Sequence, residues 1–146
     1  MSESSQARLL SEPYLIDEKS AHAYLQAAPD RPASRRRVNI HNDLEAAQKA
    51  GYRAPIVAGE HTWAFLAGFL ADRYGARLIR GGRLELAFIK PVMFGETIRA
   101  SAREIRRHAD ALELEVWVEN DRGERVATGS ASVRADDSAP PRTKSS

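Results

Sequence analysis

The stretch NIHNDLEAAQKAGYRAPIVAGEHTWAFLAGFL, residues 39–70, decides how the chain folds. It divides into three parts. Asp43 can cap a short helix, LEAAQKA, because its carboxylate accepts from N–H groups that a helix start leaves unbonded, and Gly51 ends that helix. A Pro-Ile-Val-Ala-Gly turn follows at 55–59. From Glu60 to Tyr74 the chain then reads as a longer helix closed by Gly75. Trp63, Phe65, Leu66, Phe69 and Leu70 leave it almost no polar face before Asp72. A helix that is apolar nearly all round is normally enclosed.

The period changes downstream. In GGRLELAFIKPV, Leu84, Leu86 and Phe88 share a side, and in ETIRASAREIRR so do Ile98, Ala100 and Ala102. ALELEVWVEN puts Leu112, Leu114, Val116 and Val118 on one face, and Glu113, Glu115, Trp117 and Glu119 on the other. NDRG is a turn signal, and ERVATGSASVRA reads as a last strand. Alternating strands joined by short links predict an antiparallel sheet with one wet face. A buried helix followed by such a sheet predicts an α+β arrangement in which the sheet wraps the helix.

Upstream, IDEKSAHAYLQAAPD reads as a first helix, capped by Asp17 and stopped by Pro29. Ala21, Tyr24, Leu25 and Ala28 form its apolar stripe. The stretch from Asp30 to Ile40 reads as an Arg-rich loop. Residues 1–12 and 136–146 are polar and are expected to be flexible tails of a single domain over 13–135.

Composition narrows the function classes. A chain of 146 residues suits one domain. Cysteine is absent, which excludes disulfides, thiolate metal sites and cysteine nucleophiles. No apolar run is long enough for a membrane span, and no apolar segment follows a basic start, so the expected compartment is the cytoplasm. The net charge is only +2, although Arg makes up 18 of the 22 basic residues. Arg35, Arg36 and Arg37 form the only basic run of three, without interleaved aromatics, so nucleic acid is not the expected partner.

The run HNDLEAAQKAGYRAPIVAG, from His41 to Gly59, resembles the signature of the MaoC-like acyl dehydratases. These are relatives of the (R)-specific enoyl-CoA hydratases and have the hot-dog fold. The family pattern has a His, an Asp two residues later, a short helix ending in Gly-aromatic, then Pro-Ile-Val-x-Gly. Here these are His41, Asp43, Gly51-Tyr52 and Pro55-Ile56-Val57-Ala58-Gly59, without a gap. LIRGGRLELAFIKPVMFGETI resembles the family's next strand and turn, and the resemblance runs from about Asp17 to Val133.

The resemblance implies a hydratase or dehydratase acting at the double bond of an enoyl-CoA thioester in fatty acid metabolism. His41 would be the base toward water. The backbone N–H of Gly59 would bind the thioester oxygen, and an acid partner would protonate the substrate's alpha carbon. The chemistry suits the residues. Water addition builds enolate charge on the carbonyl oxygen, and a helix N-terminus offers free N–H donors and a positive dipole end there. A histidine exchanges protons near neutral pH. Asn39, Ile56, Val57, Glu60 and His61 would line the substrate. No metal and no cofactor are implied beyond coenzyme A as part of the substrate, and a homodimer or dimer of dimers is implied as the assembly.

The acid is where this sequence departs from the family's Asp-x-Asn-x-x-His. Counting back from His41 gives Arg36 and Val38. Keeping the end of the first helix, LQAAPD, in register with the family makes Asp30 the acid, with an Arg-rich insertion before His41. Asp43 is a further candidate, although an N-cap role explains it. Ala58 stands where the family often has His, and Glu60 and His61 where many relatives have Met and an apolar or small residue. Some hot-dog thioesterases carry a catalytic acid on the central helix, so a thioesterase using Glu60 is one alternative. Another is a non-catalytic acyl-binding subunit of a hydratase heterodimer. Glu60 as a dipole-stabilising surface residue, His41 as a loop histidine bonded to backbone, and Gly59 as a close-packing glycine are the plainer readings of those positions. Arg35, Arg36, Arg37, Arg80 and Arg83 can meet coenzyme A phosphates or simply face solvent.

Overall fold

The structure, a computed structural model, describes residues 8–26 and 40–136, with the backbone alone at His22, Leu25 and Gln26. The strands are β1 (Leu9–Leu10), β2 (Tyr14–Ile16), β3 (Arg83–Phe88), β4 (Glu96–Arg107), β5 (Ala111–Asn120) and β6 (Arg125–Arg134). They form one antiparallel sheet in the order β1-β4-β5-β6-β3, with β2 also pairing β4. The helices are α1 (Glu18–Gln26), α2 (Leu44–Lys49), α3 (Gly59–Tyr74) and α4 (Ala76–Ile79). The sheet curls around α3, which is the α+β hot-dog arrangement.

The alternation read from the sequence sets the two faces of the sheet. Ile98, Ala100, Leu114, Val116, Val118 and Ala127 are fully buried and pack with Leu66 and Leu70 of α3. Their register is continuous, with Ala100 opposite Val118 and Leu114 opposite Ala131. The other face carries the Glu and Arg side chains, together with Ser101 and Trp117. Trp117 lies on that wet face yet is buried. The Arg125 guanidinium lies 4.3 Å from its ring centroid and that of Arg8 5.3 Å. Its indole N–H donates to Glu119 Oε1 at 2.6 Å. Cation–π contact and a charged acceptor cover a ring that the alternation leaves outside the core.

The helix ends follow their residues. Asp17 Oδ1 accepts from the Ser20 N–H at 2.8 Å, and Ser20 Oγ accepts from the Asp17 N–H at 3.0 Å. This reciprocal box starts α1. Asp43 Oδ2 accepts from the Ala46 N–H at 2.8 Å and starts α2. At the far end of α2 the Gly51 N–H donates to Gln48 O and the Tyr52 N–H to Ala47 O. Gly51 adopts φ 94°, the left-handed turn that this double closure needs.

Three expectations change. α3 is not enclosed all round: Leu66 and Leu70 are fully buried, but Trp63 is 42% exposed. A single sheet covers only one side of a helix, so its other faces depend on what else packs there. Residues 76–79 form α4, which the stop signal at Gly75 did not suggest. The domain start expected at residue 13 lies after a paired strand, since Leu9 faces Ala102 and Leu10 faces Ser101 across β1 and β4.

Candidate active site

The site is built on the segment that leads into α3. Residues 55–57 run alongside 92–94. The Val57 N–H donates to Val92 O at 2.7 Å, the Phe94 N–H donates to Pro55 O at 2.9 Å, and Ile56 bridges Met93. Ala58 then serves as N-cap at φ −62° and ψ 135°, without a side-chain cap, and Gly59 opens the helix. The first N–H groups of α3 therefore have no carbonyl one turn earlier within the helix, and the positive dipole end lies there.

His41 sits in the turn before α2, half-buried. Its Nδ1 is 2.9 Å from the carbonyl oxygen of Ile56. A carbonyl only accepts, so Nδ1 carries the proton and the lone pair is on Nε2. The Ile56 N–H in turn donates to Ile40 O at 2.9 Å, so residues 40 and 41 hold residue 56 by both its N–H and its carbonyl. The plainer reading of His41, a histidine bonded to backbone, is thus part of the geometry. It orients the ring in the tautomer that a general base requires.

The anchor is itself anchored. Glu96, at the start of β4, is 5% exposed. Its Oε2 accepts from the Met93 N–H at 2.7 Å, and its Oε1 meets Arg122 at 3.0 Å and Arg53 at 3.7 Å. A buried carboxylate held by two guanidiniums thus fixes the turn that pairs with Ile56. In the sequence Glu96 reads only as a strand residue. The signal that could have found it was FGETI, where Gly95 takes φ 95° and the acid directly follows the turn.

The other sequence candidates separate. Asp43 is committed to capping α2, and Glu60 is exposed on the first turn of α3. Val57 is buried within the hydrophobic core. A Cβ at Gly59 would come within 3.1 Å of the Phe88 ring, so the close-packing reading of that glycine also holds. Arg80 and Arg83 are exposed, and Arg83 pairs with Glu85 at 3.0 Å. Asp30, Asn39, Arg35, Arg36 and Arg37 lie outside the described residues. Among the described residues there is no cluster of acids and histidines that could hold a metal ion.

His61 faces away from the core side of α3 and is 4% exposed. Its ring stacks on Tyr24 with centroids 4.3 Å apart, and its Nε2 lies 3.1 Å from the Tyr14 hydroxyl. Burial disfavours the charged ring and lowers its pKa, so His61 stands neutral at pH 7. The side-chain partner of His61 Nε2 is thus Tyr14, on β2.

A family model described as the MaoC like domain matches residues 37–122. The chain belongs to the MaoC-like domain family. Solved structures agree on the fold of this MaoC-like chain. An (R)-hydratase from Pseudomonas aeruginosa in its unliganded form superposes with a TM-score of 0.71 at 17% identity, over 94% of this chain and 90% of that one. An (R)-hydratase from A. caviae involved in PHA biosynthesis gives 0.68 at 19% identity, over 90% and 98%. A protein described as a monoamine oxidase regulatory protein from Archaeoglobus fulgidus gives 0.69 at 21%, over 88% of each chain. No curated protein sequence matches this chain significantly.

Proposed function

We propose that this MaoC-like chain adds or removes water at the double bond of an enoyl-CoA thioester. The observation that carries the reading is the bond from His41 Nδ1 to the Ile56 carbonyl, three residues before Gly59. It ties a base in the right tautomer to the strand that delivers the helix N-terminus. In the hydration direction the thioester oxygen lies at the Gly59 N–H, where the helix start stabilises enolate charge. His41 Nε2 takes a proton from water, whose oxygen attacks the beta carbon. An acid then protonates the alpha carbon, and Asp30 is the residue assigned to that step. Coenzyme A enters as part of the substrate, and no other cofactor is required.

The chain acts as a homodimer in this reading, in the cytoplasm. What supports pairing is the edge strand β3, which among the described residues is bonded only to β6; Phe88 at its end and Ile89 after it are 52% and 55% exposed. An apolar open edge invites a second strand. No helix among the described residues is long and apolar enough to cross a membrane.

The test is a panel of enoyl-CoA thioesters, following loss of conjugated absorbance with free thiol measured in parallel. Loss of conjugation without thiol is expected. His41→Ala should lower kcat by about 100-fold or more, and Asp30→Asn by about tenfold or more, the scale of positioned acid–base groups. Thiol release would instead support hydrolysis. Full activity in His41→Ala would remove His41 from the mechanism.

A further inference from the structure

A cavity of about 830 Å³ opens beside α3, between that helix, α1 and the segment carrying β1 and β2. Its volume lies in the range of small-molecule sites. Along α3 it is lined from His61 to Asp72. Eleven steps of 1.5 Å make that about 16 Å of helix. The cavity thus starts within two residues of Gly59 and follows the helix away from it. Phe65, Gly68 and Phe69 make its wall mostly apolar.

Two polar groups converge inside it near the Gly59 end. They are the Tyr14 hydroxyl and His61, 3.1 Å apart. Tyr14 stacks on Phe65 with centroids 4.8 Å apart and planes 13° apart, and His61 stacks on Tyr24, so both rings are fixed before any ligand arrives. The serine hydroxyls of the lining are occupied: Ser11 Oγ accepts from the Ala100 N–H and Ser20 Oγ from the Asp17 N–H. The charged lining residues among those described are both acidic, Glu12 and Asp72. That excludes the polyanionic part of coenzyme A from this space, and it disfavours a carboxylate tail.

We infer that this cavity receives the acyl portion of the substrate and that the Tyr14–His61 pair selects acyl chains bearing an uncharged oxygen, a hydroxyl or a ketone, on the part nearest the thioester. The remainder of the chain is apolar and lies along Phe65, Gly68 and Phe69. The inference rests on the proposed thioester activity and names its substrate class. Neutral His61 and the tyrosine hydroxyl between them offer a donor and an acceptor to such an oxygen. The bond between the two leaves the Tyr14 oxygen one further position, donor or acceptor according to the tautomer, and a plain alkyl chain leaves that position unmet. Gly68 gives independent access to the same space, because a Cβ built there meets nothing within 4 Å.

The test compares matched medium-chain enoyl-CoA thioesters that are plain, hydroxylated, keto-substituted or carboxylated beyond the double bond. The native protein should turn over the hydroxyl or keto member with a kcat/KM about tenfold or more above the plain one. Tyr14→Phe, which keeps the ring on Phe65, should collapse that ratio. Gly68→Val should lower kcat/KM for long chains relative to short ones. Calorimetric titration of the saturated acyl-CoA counterparts, which cannot be hydrated, reads the same preference without turnover. Binding that favours the oxygenated saturated thioester, with no hydration of any member, would leave the cavity assignment standing and sink the hydratase reading. Hydration with a ratio that Tyr14→Phe does not move would sink the inference and leave the hydratase standing. A Tyr14→Phe protein that merely melts earlier, with all substrates slowed equally, would show the Tyr14–His61 contact to be structural and overturn the inference. A preference for the carboxylated member would overturn it too.

Discussion

Gly59→Pro separates the backbone donor from everything else that residue does. Gly59 is the first residue of α3, where proline is favoured because the N–H it lacks has no partner within the helix. The residue before a proline must be extended, and Ala58 already is, at φ −62° and ψ 135°. The substitution therefore removes one N–H while asking little of the backbone. Its remaining cost is the ring's contact with Phe88, since even a Cβ at residue 59 comes within 3.1 Å of that side chain. Phe88 is 52% exposed and can give by a few tenths of an ångström. Gly59→Ala makes the same contact, keeps the donor, and serves as the reference. Both variants should lose about 1 kcal/mol or less of stability, a shift of about 2–4 °C in melting temperature for a chain of this size. Loss of one oxyanion donor costs about 100- to 1000-fold in kcat, or about 3–4 kcal/mol in the transition state. The enoyl-CoA absorbance assay should show Gly59→Ala near native and Gly59→Pro lower by that factor, with the two melting alike. If a well-folded Gly59→Pro turns over within about threefold of Gly59→Ala, far short of an oxyanion donor's worth, the N-terminus of α3 does not hold the thioester oxygen.

Two further outcomes follow from burial and close approach. His61 has a pKa lowered from 6.5 by burial, so below pH 6.5 the unfolded chain takes up a proton that the folded chain refuses. Stability is then fully present above pH 6.5 and falls as the pH drops toward the folded value; urea midpoints measured against pH should show this slope, and His61→Phe should flatten it. Gly129→Ala would put a Cβ 1.9 Å from the Glu85 carbonyl oxygen, across the β3–β6 pair where Gly129 faces Leu86. Backbone cannot yield as a side chain does, so the variant should lose about 2 kcal/mol or more in urea unfolding, and an unchanged midpoint would refute that packing.

What the sequence revealed follows the range over which each signal acts. The period-two runs at Leu112–Val118 and Ile98–Ala102 are local, and they oriented the sheet correctly. α2 and its neighbouring turn were legible because Asp43 and Gly51 perform the cap and the left-handed close themselves. β1 and β2 escaped because strands of two and three residues carry no period, and only their partner β4 specifies them. The His41–Gly59 frame was readable as a spaced motif. The Tyr14–His61 contact joins residues 47 apart and depends on how β2 lies against α3. Nothing in either local stretch announces it. Glu96 is a similar case, since a carboxylate in a strand looks solvated until Arg53 and Arg122 are brought to it.

The two atoms that define this site, the Ile56 carbonyl that holds His41 and the Gly59 N–H, belong to the main chain. Substitution by any residue other than proline leaves both in place as long as the path through 55–59 is kept. The side chains of this stretch can therefore change while the proposed geometry is kept as a backbone shape. In the proposed reading, the lining of the space alongside the helix can change through side chains alone, while the frame that would hold the thioester stays fixed.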